Sequence, residues 1–146
     1  IQGAFVSSSL HPKGFLSRIF LVWKMDKGFQ LVTNLREFNG WLVCLRFKIE
    51  GVHLLKNILF QDDWMVRLHL KDAYLMVLIF RPHNRFLQFS WRGQVLKFMV
   101  LPFGITTAPC CFTKLMRPMV EFLRVRGVRL VIYLDDFCLC INQEID

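Results

Sequence analysis

Asp135 and Asp136 stand side by side in a stretch that is otherwise apolar. Residues 128–134 before them and 137–141 after them read as two strands, with Tyr133-Leu134-Asp135-Asp136 at the turn. Neighbouring carboxylates drawn out of water repel each other, and a cation beside them relieves the repulsion. The chemistry this suggests is the holding of a hard divalent metal ion by carboxylate oxygens.

Elements on either side must position that turn. Residues 64–70 alternate in the strand manner, with Met65, Arg67 and His69 on one face and Val66, Leu68 and Leu70 on the other. This strand is expected beside the 128–141 hairpin and antiparallel to it, with Leu68, Leu70, Leu130 and Ile132 sharing a core. Asp72-Ala73-Tyr74 breaks the strand. Upstream, 19–23 and 29–34 read as strands joined by a polar turn, where Gly28 supplies the turn conformation. Residues 51–59 read as a short helix, and 75–80, 86–91 and 94–100 as strands, the last two joined at Arg92-Gly93.

After the turn Leu101-Pro102-Phe103-Gly104, Thr106 or Thr107 can cap a helix with Pro109 in its first turn. Apolar residues at 108, 111, 112, 115, 116, 119, 120 and 123 trace one face as far as Gly127, and Pro118 should kink the helix. Strands with a segregated helix make the fold class α+β.

The 146 residues suit about one domain with a real core. The apolar share of 54% is high, and no run approaches the roughly 20 residues of a bilayer span. The excess is expected to be buried strands together with surface that further chain covers. No signal-peptide pattern is seen and no membrane is expected. A net charge of +8, from 19 Lys and Arg against 11 Asp and Glu, favours a polyanionic partner. The five cysteines fit neither a metal spacing nor an even disulfide framework, which suits reduced thiols in an intracellular protein of cytoplasm or nucleus.

Three stretches in order, Val66–Tyr74 through Arg67, His69, Asp72 and Ala73, then Leu101-Pro102-Phe103-Gly104-Ile105-Thr106-Thr107-Ala108-Pro109, then Tyr133-Leu134-Asp135-Asp136, resemble the reverse transcriptases. The stretch from Ile19 through Lys24 to Asn39 resembles the fingers hairpin of the same family. The wording is closest to retrotransposons of the DIRS-like, tyrosine-recombinase group, and the resemblance covers about residues 17–141. It implies a fingers-and-palm architecture with an antiparallel palm sheet and helices on one face. Residues 1–44 and 77–107 would be fingers-like, and 45–76 and 108–146 palm-like. The thumb and RNase H region are expected to be absent.

It also implies RNA-directed DNA synthesis: nucleotidyl transfer to a primer 3′-hydroxyl by two Mg²⁺ ions, with an RNA or DNA template-primer and a deoxynucleoside triphosphate as partners. Asp135 and Asp136 would be catalytic metal ligands, and His69 stands at the position of a catalytic Asp. Lys24 would meet the triphosphate and Tyr74 would lie under the incoming sugar. Gln30, Asp72, Ala73, Phe103 and Gly104 would complete the nucleotide pocket.

Two departures bear on activity. Where the family's phrase has its first catalytic Asp the chain has His69, a neutral nitrogen donor poorly suited to Mg²⁺. Where the family has a triphosphate-gripping arginine it has Gln30, which brings no charge. The expectation is a decayed element copy without polymerase activity. The alternative is a non-catalytic nucleic-acid-binding remnant or a functionless relic.

Overall fold

Side-chain alternation organises the chain into strands that pair in two separate sheets, one in each of two compact units. The structure, a computed structural model, describes residues 3–25 and 28–142 and, among these, every side chain except those of Lys24, Gln30 and Leu31. Unit 1 comprises Ile1–Cys44 and Tyr74–Ala108, and unit 2 comprises Leu45–Ala73 and Pro109–Asp146.

Unit 1 contains β1 (Phe5–Ser8), β2 (Leu16–Lys24), β3 (Gly28–Asn34) and the short helix α1 (Arg36–Gly40). Unit 2 contributes the next elements in the chain, α2 (Val52–Ile58) and β4 (Trp64–His69). Unit 1 resumes with β5 (Gln88–Trp91) and β6 (Gln94–Phe98). Its sheet has the order β1-β6-β5-β2-β3, antiparallel throughout except where β2 meets β5.

Turn chemistry sets the two hairpins. Gly28 takes φ +70° at the start of β3, and Arg92 and Gly93 both have positive φ, as a two-residue hairpin loop requires. Phe89 and Phe98 pack at 4.9 Å between ring centroids and anchor a core with Leu35, Leu87, Leu101, Ile105 and Ala108. Such an aromatic pair adds about 0.5–1.5 kcal/mol beyond its buried area.

Gly14 has no room for a side chain. A Cβ there would lie 2.6 Å from both the Arg85 carbonyl oxygen and Gln88 Oε1, close to where Phe15 N–H donates to Arg85 O. Gly14→Ala is therefore expected to lower stability by roughly 1–3 kcal/mol, as overpacking against backbone does. An unchanged urea midpoint would show that the 11–15 segment can yield.

Unit 2 is built on the antiparallel sheet β4-β8-β7, with β7 at Arg129–Tyr133 and β8 at Asp136–Ile141. Helix α3 (Ala108–Val125) supplies Val120, Met116 and Leu123 against Leu130, Ile132 and Phe137. Two ion pairs brace the sheet. Arg129 grips both oxygens of Asp63 and also donates to the Ile58 carbonyl. Arg124 donates to Glu50 at 2.7 Å and to the Leu130 carbonyl, and Glu50 also accepts from the Ile132 N–H at 3.0 Å.

Several expectations change. Residues 75–80 form no strand: Ala73–Met76 and Arg81–Phe86 wind into 3₁₀ turns, and only Leu78 bridges to Val100. The run pairs only past the end of β6, where Ile79 N–H donates to the Met99 carbonyl and Leu101 N–H to the Val77 carbonyl, too short a ladder to make a strand. The expected stripe on α3 is too wide. Cys111, Leu115 and Met119 are exposed, and Cys110 is buried, because a three-stranded sheet covers only part of one helix face. The helix continues through Pro118, which lies on its exposed side. Leu130 and Ile132 are in the core as expected, but Leu68 is 50% exposed and Leu70 is also exposed. Strand β4 is the sheet edge, beyond the reach of the α3 contacts.

Candidate functional site

Two adjacent strands bring the candidate ligands together. In the β4–β8 ladder His69 lies directly opposite Asp136, and Leu70 N–H donates to the Asp135 carbonyl at 2.8 Å. The β7–β8 connection is a two-residue turn, Leu134-Asp135, between the paired residues Tyr133 and Asp136. Its first position, Leu134, has φ +56°, a conformation that costs a leucine roughly 1–2 kcal/mol. That strain is set at the point where the two carboxylates project.

His69 Nδ1 lies 3.1 Å from Asp136 Oδ1 and 3.7 Å from Asp135 Oδ2. A carboxylate can only accept, so Nδ1 carries the proton in this arrangement. One ligand atom from each of His69, Asp135 and Asp136 can be chosen so that all lie within 4.8 Å of one another. The strand pairing thus collects the sequence-expected catalytic residues in one place.

Arg67 joins them, and its role went unread in the sequence. Two residues before His69 and on the same strand face, it donates from Nε to Asp136 Oδ1 at 3.1 Å and from Nη2 to Oδ2 at 2.9 Å. Both oxygens of Asp136 are therefore engaged by a guanidinium fork. The hydrogen bonds from Arg67 hold the Asp136 carboxyl below its ordinary value; partial burial opposes this, and the His69 hydrogen bond and the charge of Arg67 reinforce it. Alternation set Arg67 and His69 on one face, but it carries no signal for which carboxylate a long side chain reaches.

The other expected residues fall in both units. Asp72 (φ +54°) and buried Ala73 end the first segment of unit 2, just beyond β4. In unit 1 the Tyr74 ring meets Phe103 edge-on, with centroids 5.5 Å apart. Gly104 has φ +96°, and a Cβ there would meet Leu35 Cδ1 at an ordinary 3.9 Å, so backbone conformation rather than crowding requires glycine there. Asn39 was also missed as a site residue: its amide donates to the Gly104 carbonyl at 2.7 Å and accepts from Thr106 N–H at 3.0 Å, fixing the Phe103–Gly104 turn. The expected roles of Lys24 and Gln30 rest on side chains outside the described residues; their backbones pair in the β2–β3 hairpin.

Residues 30–146 match the family described as reverse transcriptase (RNA-dependent DNA polymerase). Among solved structures, the native protease-reverse transcriptase of prototype foamy virus aligns with 97% of this chain and 18% of its own, at 21% identity and a TM-score of 0.75. The foamy viral protease-reverse transcriptase dRH in complex with ds DNA aligns with 97% of this chain and 24% of its own, at 20% identity and a TM-score of 0.78. The foamy viral enzyme in complex with RNA/DNA hybrid aligns with 98% of this chain and 18% of its own, at 20% identity and a TM-score of 0.77. The chain therefore spans about a fifth to a quarter of the length of these solved proteins. No curated protein matches the sequence. No helix among the described residues is long and apolar enough to cross a membrane. An α+β chain with this carboxylate hairpin, this strand pairing and this match over residues 30–146 belongs to the reverse transcriptase family.

Proposed function

We propose that the chain is the fingers-and-palm part of an RNA-directed DNA polymerase from a DIRS-like retrotransposon, in a copy whose metal site no longer supports nucleotidyl transfer. Residues 1–44 and 77–107 are assigned to the fingers, and 45–76 and 108–146 to the palm. The partners are an RNA or DNA template-primer and a deoxynucleoside triphosphate, inside the cell. Binding of the incoming nucleotide is assigned to Lys24, Gln30, Asp72, Ala73, Tyr74, Phe103 and Gly104.

The observation that carries the reading is the contact of His69 with Asp136 and Asp135 across the β4–β8 ladder. The family works with divalent metal, and this donor set does not fit a pair of Mg²⁺ ions. One of its three groups is an imidazole nitrogen, and Asp136 has both oxygens on Arg67. Only Asp135 offers a carboxylate that is not bound by a guanidinium in this cluster.

A second reading, a nucleic-acid-binding remnant without catalysis, is favoured by the charge of unit 1. It carries nine Lys and Arg against two acids, Asp26 and Glu37, whereas unit 2 carries ten against nine. Primer extension on an RNA template separates the two readings from an active enzyme. No extension is expected from the chain with Mg²⁺ or Mn²⁺, while a labelled oligonucleotide binds in a salt-dependent manner. Robust extension would mean that His69 is tolerated in catalysis, and the proposal of an inactive copy would fall.

A further inference from the structure

Unit 1 holds a polar cavity of about 310 Å³ among the 3₁₀ turn Arg81–Phe86, the start of β5, Lys97 of β6 and residues 8–11. Its lining brings together Arg81, Arg85, Lys97 and His11, and no carboxylate lines it. The whole segment 74–108 contains neither Asp nor Glu. No acid in that stretch can pair with Arg81, Arg85 or Lys97, although Arg85 lies over the Phe86 ring at 4.7 Å; Arg67, Arg124 and Arg129 of unit 2 are each held by an acid.

The walls are built rather than incidental. Gln88, 1% exposed, donates to the Ser9 carbonyl at 3.0 Å and accepts from His11 N–H, fixing the 9–11 segment over the cavity. Lys13 N–H donates to His11 Nδ1 at 3.1 Å, which leaves Nε2 as the ring's proton-bearing nitrogen. Asn84 lines the cavity at 2% exposure, with its Nδ2 on the Met99 sulfur and its Oδ1 without a partner among the described residues. The Nε of Arg85 is likewise buried and without an acceptor. The unpaired Arg85 Nε–H is a buried donor that an anionic oxygen would satisfy, whereas Asn84 Oδ1, an acceptor, takes a donor such as water or a hydroxyl.

We propose that this cavity is a phosphate subsite for the backbone of a single-stranded nucleic acid. Guanidinium forks and an ammonium, with no acid among them, suit the several oxygens of a phosphate. The volume admits a phosphate with its adjoining sugar. The acid-free segment and the basic balance of unit 1 favour a polyanion over an isolated small anion. The identity of the strand rests on the reverse-transcriptase reading, and the phosphate chemistry does not.

The test is the binding of a fluorescein-labelled oligothymidylate to the full 146-residue chain by fluorescence polarisation across a salt series. Arg81→Ala and Lys97→Ala are each expected to weaken binding about three- to tenfold and to reduce the salt slope by about 0.7. Arg85→Lys serves as a milder change at the half-buried position and should weaken binding while retaining the fold. Arg126→Ala, an exposed arginine of unit 2, should leave the slope close to that of the parent. Unchanged slopes in variants that keep the parent's circular dichroism overturn the proposal. So does an equal loss in Arg126→Ala, which would mean diffuse attraction. Inorganic phosphate competing as tightly as the oligonucleotide overturns the strand assignment. Primer extension plays no part in this readout, so a failure here leaves the polymerase reading untouched.

Discussion

His69→Asp alone will raise Mn²⁺ affinity only a few-fold, whereas Arg67→Ala with His69→Asp will raise it at least about tenfold, equal to about 1.4 kcal/mol. The reason is competition for one carboxylate. Arg67 holds both oxygens of Asp136 at 3.1 and 2.9 Å, so a metal ion seeking Asp136 must displace a bidentate guanidinium or share its charge. Supplying a third carboxylate at position 69 restores hard oxygen but leaves that cation in place. It also sets three acids together, which Arg67 will partly neutralise and so grip more firmly. Removing Arg67 and His69 together exposes three carboxylates to the ion.

On the proposed reading, neither variant will extend a primer. Gln30 brings no charge where the family resemblance implies a triphosphate-gripping arginine, and the loss of one charge contact to a transition state commonly costs on the order of 10²-fold or more. Titration with Mn²⁺ followed by calorimetry or electron paramagnetic resonance, alongside primer extension, checks both statements. A full tenfold gain from His69→Asp alone would show that Arg67 does not compete for Asp136.

The sequence made the arrangement around Asp135 and Asp136 legible because it rests on backbone pairing. The alternation over 64–70 gave β4 its faces, and a strand beside the 128–141 hairpin must set one residue of β4 against Asp136. His69 was therefore placed correctly by pattern. The engagement of Arg67 was not, because alternation shows which residues share a face but not which long side chain folds back onto a carboxylate. Residues 75–80 show a second limit. Strand propensity was there, but the run meets only residues 99–101 at a single bridge, a fact of topology rather than of local sequence. Asn39 could not be read for the same reason, since its partners Gly104 and Thr106 lie 65 and 67 residues away. The exposure of Leu68 and Leu70 is a third case: hydrophobic periodicity marks the face that could be buried, while the width of the sheet and the reach of α3 decide how much of it is.

Acid will destabilise unit 2 before unit 1. Three carboxyls of unit 2 are held below their ordinary values. At Glu50 burial works upward, but hydrogen bonds from Arg124 and the Ile132 N–H, with the charge of Arg124, outweigh it. At Asp63 the hydrogen bonds from Arg129 dominate, opposed by burial and aided by the Phe60 N–H and the charge of Arg129. At Asp136 the hydrogen bonds from Arg67 dominate, opposed by burial and aided by His69. A carboxyl with a depressed folded pKa contributes stability that is fully present above its unfolded value of about 3.9 for Asp or 4.3 for Glu. That contribution is lost as pH falls through the folded value, because the unfolded chain takes up the proton first. Unit 1 has only Asp26 and Glu37 to titrate in that range, so its stability should change little. Amide hydrogen exchange at pH 5, 4 and 3 should show protection falling at Leu130 and Ile132 of β7 while Phe89 and Phe98 hold theirs. Glu50→Gln should lower protection in β7 at pH 5, since a neutral amide gives Arg124 and the Ile132 N–H a weaker acceptor, and should flatten the further loss toward pH 3. Equal losses in both units, or an unaltered pH slope in Glu50→Gln, would remove these ion pairs from the account of how unit 2 holds its carboxylate hairpin in place.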